Sequence, residues 1–144
     1  MSAALDQTLF APATSKVLGL APAEPADAHA FFLTRLRSET DCSDVAADLE
    51  NGVTGFTVFD VRGREAYEQE HVRGAVSFPH AEITAESVAG LDRDQLYVTY
   101  CWFPGCNAAT KAGAKLTALG FRVKEMIGGI EYWKRQGFPT ETGR

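Results

Sequence analysis

Two short runs, Phe56-Thr57-Val58-Phe59-Asp60 and Leu96-Tyr97-Val98-Thr99-Tyr100, are apolar almost throughout, and segments of helical spacing stand between and after them. A strand with one wet face alternates apolar and polar residues. A run apolar on both sides of the pleat is covered on both faces, which implies a largely parallel sheet whose crossover helices supply the cover. The expected class is therefore α/β, with ligands at the carboxyl ends of the strands. Both runs end on chemistry: the first on Asp60, the second immediately before Cys101.

The stretch Tyr100-Cys101-Trp102-Phe103-Pro104-Gly105-Cys106-Asn107-Ala108-Ala109 reads as strand, thiol, tight loop and helix. Pro104 and Gly105 forbid regular structure, and the Ala-rich segment that follows has helical spacing. If the loop closes on itself, its N–H groups and the helix N-terminus face the Cys101 sulfur, which favours a thiolate or another anion formed there. Cys101 is the candidate nucleophile.

At 144 residues the chain suits one domain with a real core. Hydrophobic residues make up 45% and charged residues 23%, as in globular proteins. The net charge is −5, with no Lys/Arg cluster. Nucleic acid and anionic membrane are thus unexpected partners. No apolar stretch is long enough for a membrane span and no signal-peptide pattern opens the chain, so a cytoplasmic location is expected. Three cysteines do not make a disulfide scaffold, and they read as chemistry or packing.

Residues 1–28 are rich in Ala and Pro, with Pro12, Pro22 and Pro25 breaking any long helix, and are expected to form an arm ahead of a domain at 29–144. Leu5, Leu9, Phe10, Val17, Leu18 and Leu20 are too apolar for a purely solvated tail, so the arm is expected to pack on the domain or to join two copies in a homodimer. A first strand is read at Ala30–Leu36, with a helix as the alternative for so short a run. Asp41 or Ser43 offers an N-cap for a helix ending near Gly52. After the strand 56–60 come a short polar helix at 63–70, a short strand at 75–78 and a short helix at 85–88. Beyond the strand 96–100 lie a helix at 107–119, a final strand at 122–126, and a last helix at 130–136 introduced by Gly128-Gly129.

Phe59-Asp60-Val61-Arg62, Glu65 and Tyr67, His71-Val72-Arg73-Gly74-Ala75, Tyr100-Cys101, Gly120-Phe121 with Val123, and Gly128-Gly129-Ile130 with Trp133 together resemble the single-domain rhodanese (sulfurtransferase) family. The resemblance covers residues 30–139. It implies a rhodanese-like α/β domain with a five-stranded sheet, helices on both faces, and Cys101 as the carrier of sulfane sulfur. Family loops often include Arg or Lys. Here Trp102, Phe103, Pro104, Gly105 and Cys106 contain no cation.

A thiolate can attack a sulfane sulfur, hold it as a persulfide, and pass it to cyanide or a thiol, without metal or cofactor. The expected partners are a small sulfane donor or persulfide carrier and a thiol acceptor. Thiosulfate carries two negative charges, and a loop without a cation is expected to use it weakly. Trp102 and Phe103 offer an apolar rim suited to an organic persulfide or a carrier. Cys106 either resolves an oxidised Cys101 as a disulfide, forms a second persulfide site, or closes the loop as a small hydrophobe. Asn107 stands where a Cys-x5-Arg phosphatase has its arginine, which disfavours phosphoryl chemistry, and it reads as an N-cap. Asp60 and Arg62 are expected to pair and shape the loop, with His71 as a supporting, mainly structural residue. His29 and His80 lack metal-ligand spacing, so no metal site is expected.

Three functions follow. The first is a sulfurtransferase working through a Cys101 persulfide. The second is a dithiol redox enzyme or sensor cycling Cys101 and Cys106, which requires their Cα atoms to lie within about 7 Å. The third is a non-catalytic module of the same fold that recognises a partner through the aromatic rim.

Overall fold

The computed structural model describes residues 15–144, and the chain divides into two units, 1–35 and 36–144. Leu5, Leu9, Phe10 and Pro12, assigned above to the arm, lie outside the described residues. Val17, Leu18 and Leu20 are exposed.

The segment read as a first strand is helical. Helix α1 runs over Pro25–Ser38. Pro25 occupies its first position, where a missing N–H costs nothing, and Asp27 lies in the first turn beside the positive end of the helix dipole. These start signals, together with the alanines at 26, 28 and 30, outweigh the β-leaning pair Phe31 and Phe32, both of which are exposed.

The sheet edge is instead β1 (Glu39–Asp41). Asp41 then caps α2 (Cys42–Glu50), its Oδ1 accepting from the Asp44 amide at 2.8 Å. Next come β2 (Phe56–Asp60), α3 (Arg64–Gln69), β3 (His71–Val72) and β4 (Val76–Ser77). A 3-10 turn at His80–Glu82 follows. The expected helix at 85–88 is a run of turns. Thr84 and Ser87 exchange side-chain to backbone hydrogen bonds of 2.8 and 3.0 Å, a local alternative that competes with helical pairing. The chain closes with β5 (Leu96–Tyr100), α4 (Ala108–Ala118), β6 (Arg122–Ile127), α5 (Gly129–Arg135) and β7 (Thr140–Glu141).

Five strands form one parallel sheet in the order β1-β6-β5-β2-β4, with Phe56 beside Leu96 and Asp60 beside Tyr100. The sheet is thus the five-stranded α/β arrangement expected, with β5 and β2 inside it. A separate antiparallel ribbon, unforeseen from sequence, pairs β3 with β7. Two cores flank the sheet. One joins Cys42 and Val45 of α2, Val58, Val98 and Tyr100 of the strands, and Ile130 and Trp133 of α5. The other joins Phe59, Tyr97 and Cys101 to Ala109, Ala112 and Leu116 of α4. No helix among the described residues is long and apolar enough to cross a membrane.

Candidate functional site

Strand alternation decides which layer each residue of β5 faces. Tyr100 enters the core beneath α2 and α5, and Cys101, one residue on, enters the core beneath α4. The thiol therefore sits at the carboxyl end of an inner strand, on the side of the sheet where α4 begins. Thr99 anchors that helix start, its hydroxyl donating to the Ala109 carbonyl at 3.0 Å.

The loop turns sharply after Trp102. The Cys106 amide donates to the Phe103 carbonyl at 3.0 Å, Pro104 presets the second position, and Gly105 stays outside the left-handed region, the pattern of a type I turn. This turn folds Cys106 back onto Cys101. Their Cα atoms are 6.4 Å apart and their sulfurs form a disulfide. Cys101 is buried and Cys106 half-buried, while Trp102 and Phe103 project as the expected exposed rim, with Pro104, Gly105 and Asn107 also exposed.

The amides that hold the loop belong to α5. Ile130 N–H donates to the Cys101 carbonyl at 3.0 Å and Glu131 N–H to the Trp102 carbonyl at 2.9 Å. The start of this helix thus grips loop carbonyls, where a convergence of loop amides on the sulfur was the expectation. Gly129 makes the approach feasible. At φ +66° it lies so near that a Cβ would stand 2.7 Å from both the Cys101 carbonyl oxygen and the Trp102 carbonyl carbon. Asn107 precedes α4, but its side chain makes no capping hydrogen bond. Its φ and ψ of −103° and 13° differ from the extended geometry from which an N-cap side chain reaches back.

Behind the loop lies a fully buried polar network. Arg62 Nε and Nη2 grip the Asp60 carboxylate at 3.0 and 2.6 Å, Arg62 Nη2 also donates to the Glu70 carbonyl at 2.6 Å, and the Asp60 side chain accepts from the Arg62 amide at 3.0 Å. Tyr100 Oη donates to Asp60 at 2.6 Å and accepts from the Val72 amide at 3.1 Å. Burial pushes the Tyr100 hydroxyl upward, with the Asp60 charge adding to it, so it stays a donor. Burial alone lowers the Arg62 pKa, but the hydrogen bond and charge of Asp60 more than offset it and hold the guanidinium above its usual range. Arg62 also lies 4.3 Å from the Trp102 ring centroid, so the fold brings to the loop a cation that the loop sequence lacks.

His71 contacts Tyr67 and Glu141. Its Nδ1 is 2.7 Å from the Tyr67 carbonyl, its ring stacks on Tyr67 at 3.7 Å, and its Nε2 lies 3.5 Å from Glu141 across the small ribbon. Asp60, Arg62 and the loop therefore come together, whereas His71 is engaged elsewhere.

A model of the rhodanese-like domain matches residues 41–136. The chain belongs to the rhodanese-like family. The BH2092 protein of Bacillus halodurans superposes with a TM-score of 0.80 at 43% identity, over 83% of this chain and 87% of that one. Thiosulfate sulfurtransferase GlpE of Pseudomonas entomophila is 31% identical over 91 residues, or 62% of this chain and 80% of the enzyme. The HTH-type transcriptional regulator Rv0324 of Mycobacterium tuberculosis is 34% identical over 87 residues, 60% of this chain but 38% of the regulator, so the chain spans well under half of that relative's length.

The third thiol of this rhodanese-like chain is set apart from the pair. Cys42 is 2% exposed and its Sγ is 3.6 Å from the carbonyls of Ile127 and Gly129. Burial, with the Asp41 charge, pushes it up from 9.0 to about 11. At neutral pH it is a protonated packing residue. Two features of the site escaped the sequence reading: Tyr100 as the anchor of Asp60, and Gly129 as the seat of the loop. Both residues stood in the family blocks, but a hydroxyl that joins two strands and a backbone contact 27 residues away in sequence have no local signature.

Proposed function

We propose that the chain is a sulfurtransferase in which Cys101 accepts sulfane sulfur as a persulfide and passes it to a thiol or cyanide. The carrying observation is the position of Cys101 at the carboxyl end of β5, in a loop clasped by α5 and backed by the Asp60–Arg62 pair. Loading on thiosulfate is balanced: the Cys101 thiolate attacks the outer sulfur, the S–S bond of thiosulfate breaks, and sulfite leaves with the electron pair. The Arg62 charge is spent on Asp60, so attraction of a dianion is weak and an organic persulfide presented against Trp102 and Phe103 is the better donor. Localisation in the cytoplasm fits this reading, since transfer to a thiol acceptor needs a reducing compartment.

The test is intact-mass analysis of the reduced protein after exposure to donor, where one added sulfur is about 32 Da. Cys106→Ser, which cannot close the Cys101–Cys106 disulfide, is the protein to load. Uptake by Cys106→Ser that is lost in the Cys101→Ser, Cys106→Ser double variant supports the assignment, and equal uptake by the double variant overturns it.

A dithiol redox role is the second reading, favoured by the Cys101–Cys106 disulfide. Peroxide treatment of reduced protein then forms that bond and a dithiol reopens it; a Cys101 that proceeds to sulfinic acid without pairing rules the reading out.

A further inference from the structure

We propose that Cys106 discharges the Cys101 persulfide, so that the domain releases hydrosulfide as well as handing sulfur to an acceptor. The inference rests on the sulfurtransferase reading of Cys101 and adds to it a second product and a required co-substrate. Its basis is that the two sulfurs are held at bonding contact by parts of the fold anchored separately. Cys101 is fixed from behind by α5 through the carbonyls of residues 101 and 102, and Cys106 by the turn closed on Phe103.

In the discharge step the Cys106 thiolate attacks the inner sulfur of a protonated Cys101 persulfide. The inner-to-outer S–S bond breaks, the Cys101–Cys106 bond forms, and the outer sulfur leaves as HS⁻ with its proton and the electron pair. Sulfane sulfur is reduced by two electrons while two thiols are oxidised to one disulfide. Preorganisation makes the attack intramolecular, and effective concentrations for well-oriented partners are far above those of a thiol in solution. Cys42 does not compete, because it is buried and protonated.

The disulfide so produced is the state of the loop in this structure. A dithiol reductant, whether a small molecule or a dithiol carrier protein, must reopen it before another turnover. Attack is directed to the half-buried Cys106 sulfur, since Cys101 is 4% exposed. Cys101 then leaves as the thiolate, ready for the next donor.

Thiosulfate separates the two claims, because sulfite counts loading of Cys101 and sulfide counts discharge. Protein is reduced with a dithiol, desalted under anaerobic conditions and exposed to excess thiosulfate. Wild type is expected to release sulfite and sulfide in a ratio of about one, ending about 2 Da lighter than the dithiol form. Cys106→Ser is expected to release sulfite with no sulfide and to end about 32 Da heavier. Wild type that releases sulfite alone and keeps the added sulfur overturns the proposal and leaves the sulfurtransferase reading intact. No sulfite from either protein on thiosulfate, with no gain of about 32 Da by Cys106→Ser on an organic persulfide, overturns that reading and the proposal with it.

Discussion

Gly129→Ala is the sharpest perturbation of the loop. At φ +66° an L side chain costs about 1 kcal/mol through backbone strain alone. The added Cβ also meets three backbone atoms, at 2.7 Å from the Cys101 oxygen, 2.7 Å from the Trp102 carbon and 2.8 Å from the Phe103 nitrogen, none of which can rotate aside. The loop must move, and with it go the hydrogen bonds from Ile130 and Glu131, each worth about 1 kcal/mol net. The total is about 3 kcal/mol. With a urea slope of about 2 kcal/mol per molar, the midpoint followed by tryptophan fluorescence falls by about 1.5 M. The control is Gly113→Ala within α4, where a Cβ meets only Val123 Cγ1 at an ordinary 3.6 Å and the helix gains about 0.5–1 kcal/mol. A Gly129→Ala midpoint within about 0.3 M of wild type would refute the claim that α5 seats the loop by backbone contact.

Tyr100→Phe removes a hydrogen bond to a buried carboxylate and orphans the Val72 amide. A loss of about 3 kcal/mol in urea unfolding is expected, and a loss under 1 kcal/mol would show that water replaces the hydroxyl. Arg62→Met leaves the Asp60 charge buried without its partner, an expected cost of about 3–5 kcal/mol, and the double variant with Asp60→Asn should recover part of it if the pair is the cause. Stability should fall as pH rises from 9 toward 11. The folded Cys42 thiol holds its proton up to about 11 while the unfolded chain releases it near 9.0, so the stabilisation is complete below 9 and lost through that window, about 3 kcal/mol in all. Urea midpoints at pH 8 and 10.5 should therefore converge in Cys42→Ala, apart from the share due to Tyr67, Tyr97 and Tyr100, whose hydroxyls are raised in the same direction first by burial.

Legibility followed the range of the interaction. The runs 56–60 and 96–100 declared themselves because burial on both faces writes an unbroken apolar string, and both appear at those bounds. The turn at 103–106 was equally readable, since Pro104 and Gly105 fix it locally. The Ala30–Leu36 strand failed because four consecutive apolar residues, Ala30 to Leu33, carry no period, and the decisive Pro25 lay upstream of the window. The sheet edge passed to Glu39–Asp41, a strand too short and polar to announce itself. The sequence could show that loop residues 102–106 include no cation, but only the fold shows that Arg62 stands over Trp102.

Strand alternation links stability to chemistry at this site. Tyr100 and Cys101 are adjacent in the chain, yet they face opposite layers, so the strand end is bolted on one side by Asp60, Arg62 and the Val72 amide and presents sulfur on the other. The bolt shares no side chain with the thiol, and its mechanical link to the loop runs through Arg62 on Trp102 and the α5 amides on the main chain. The main-chain bonds from Ile130 and Glu131 involve no sulfur atom, so they are expected to persist in whichever state the proposed chemistry leaves Cys101. Both thiols lie on the α4 side, in the core that joins Cys101 and Cys106 to Ala109 and Ala112.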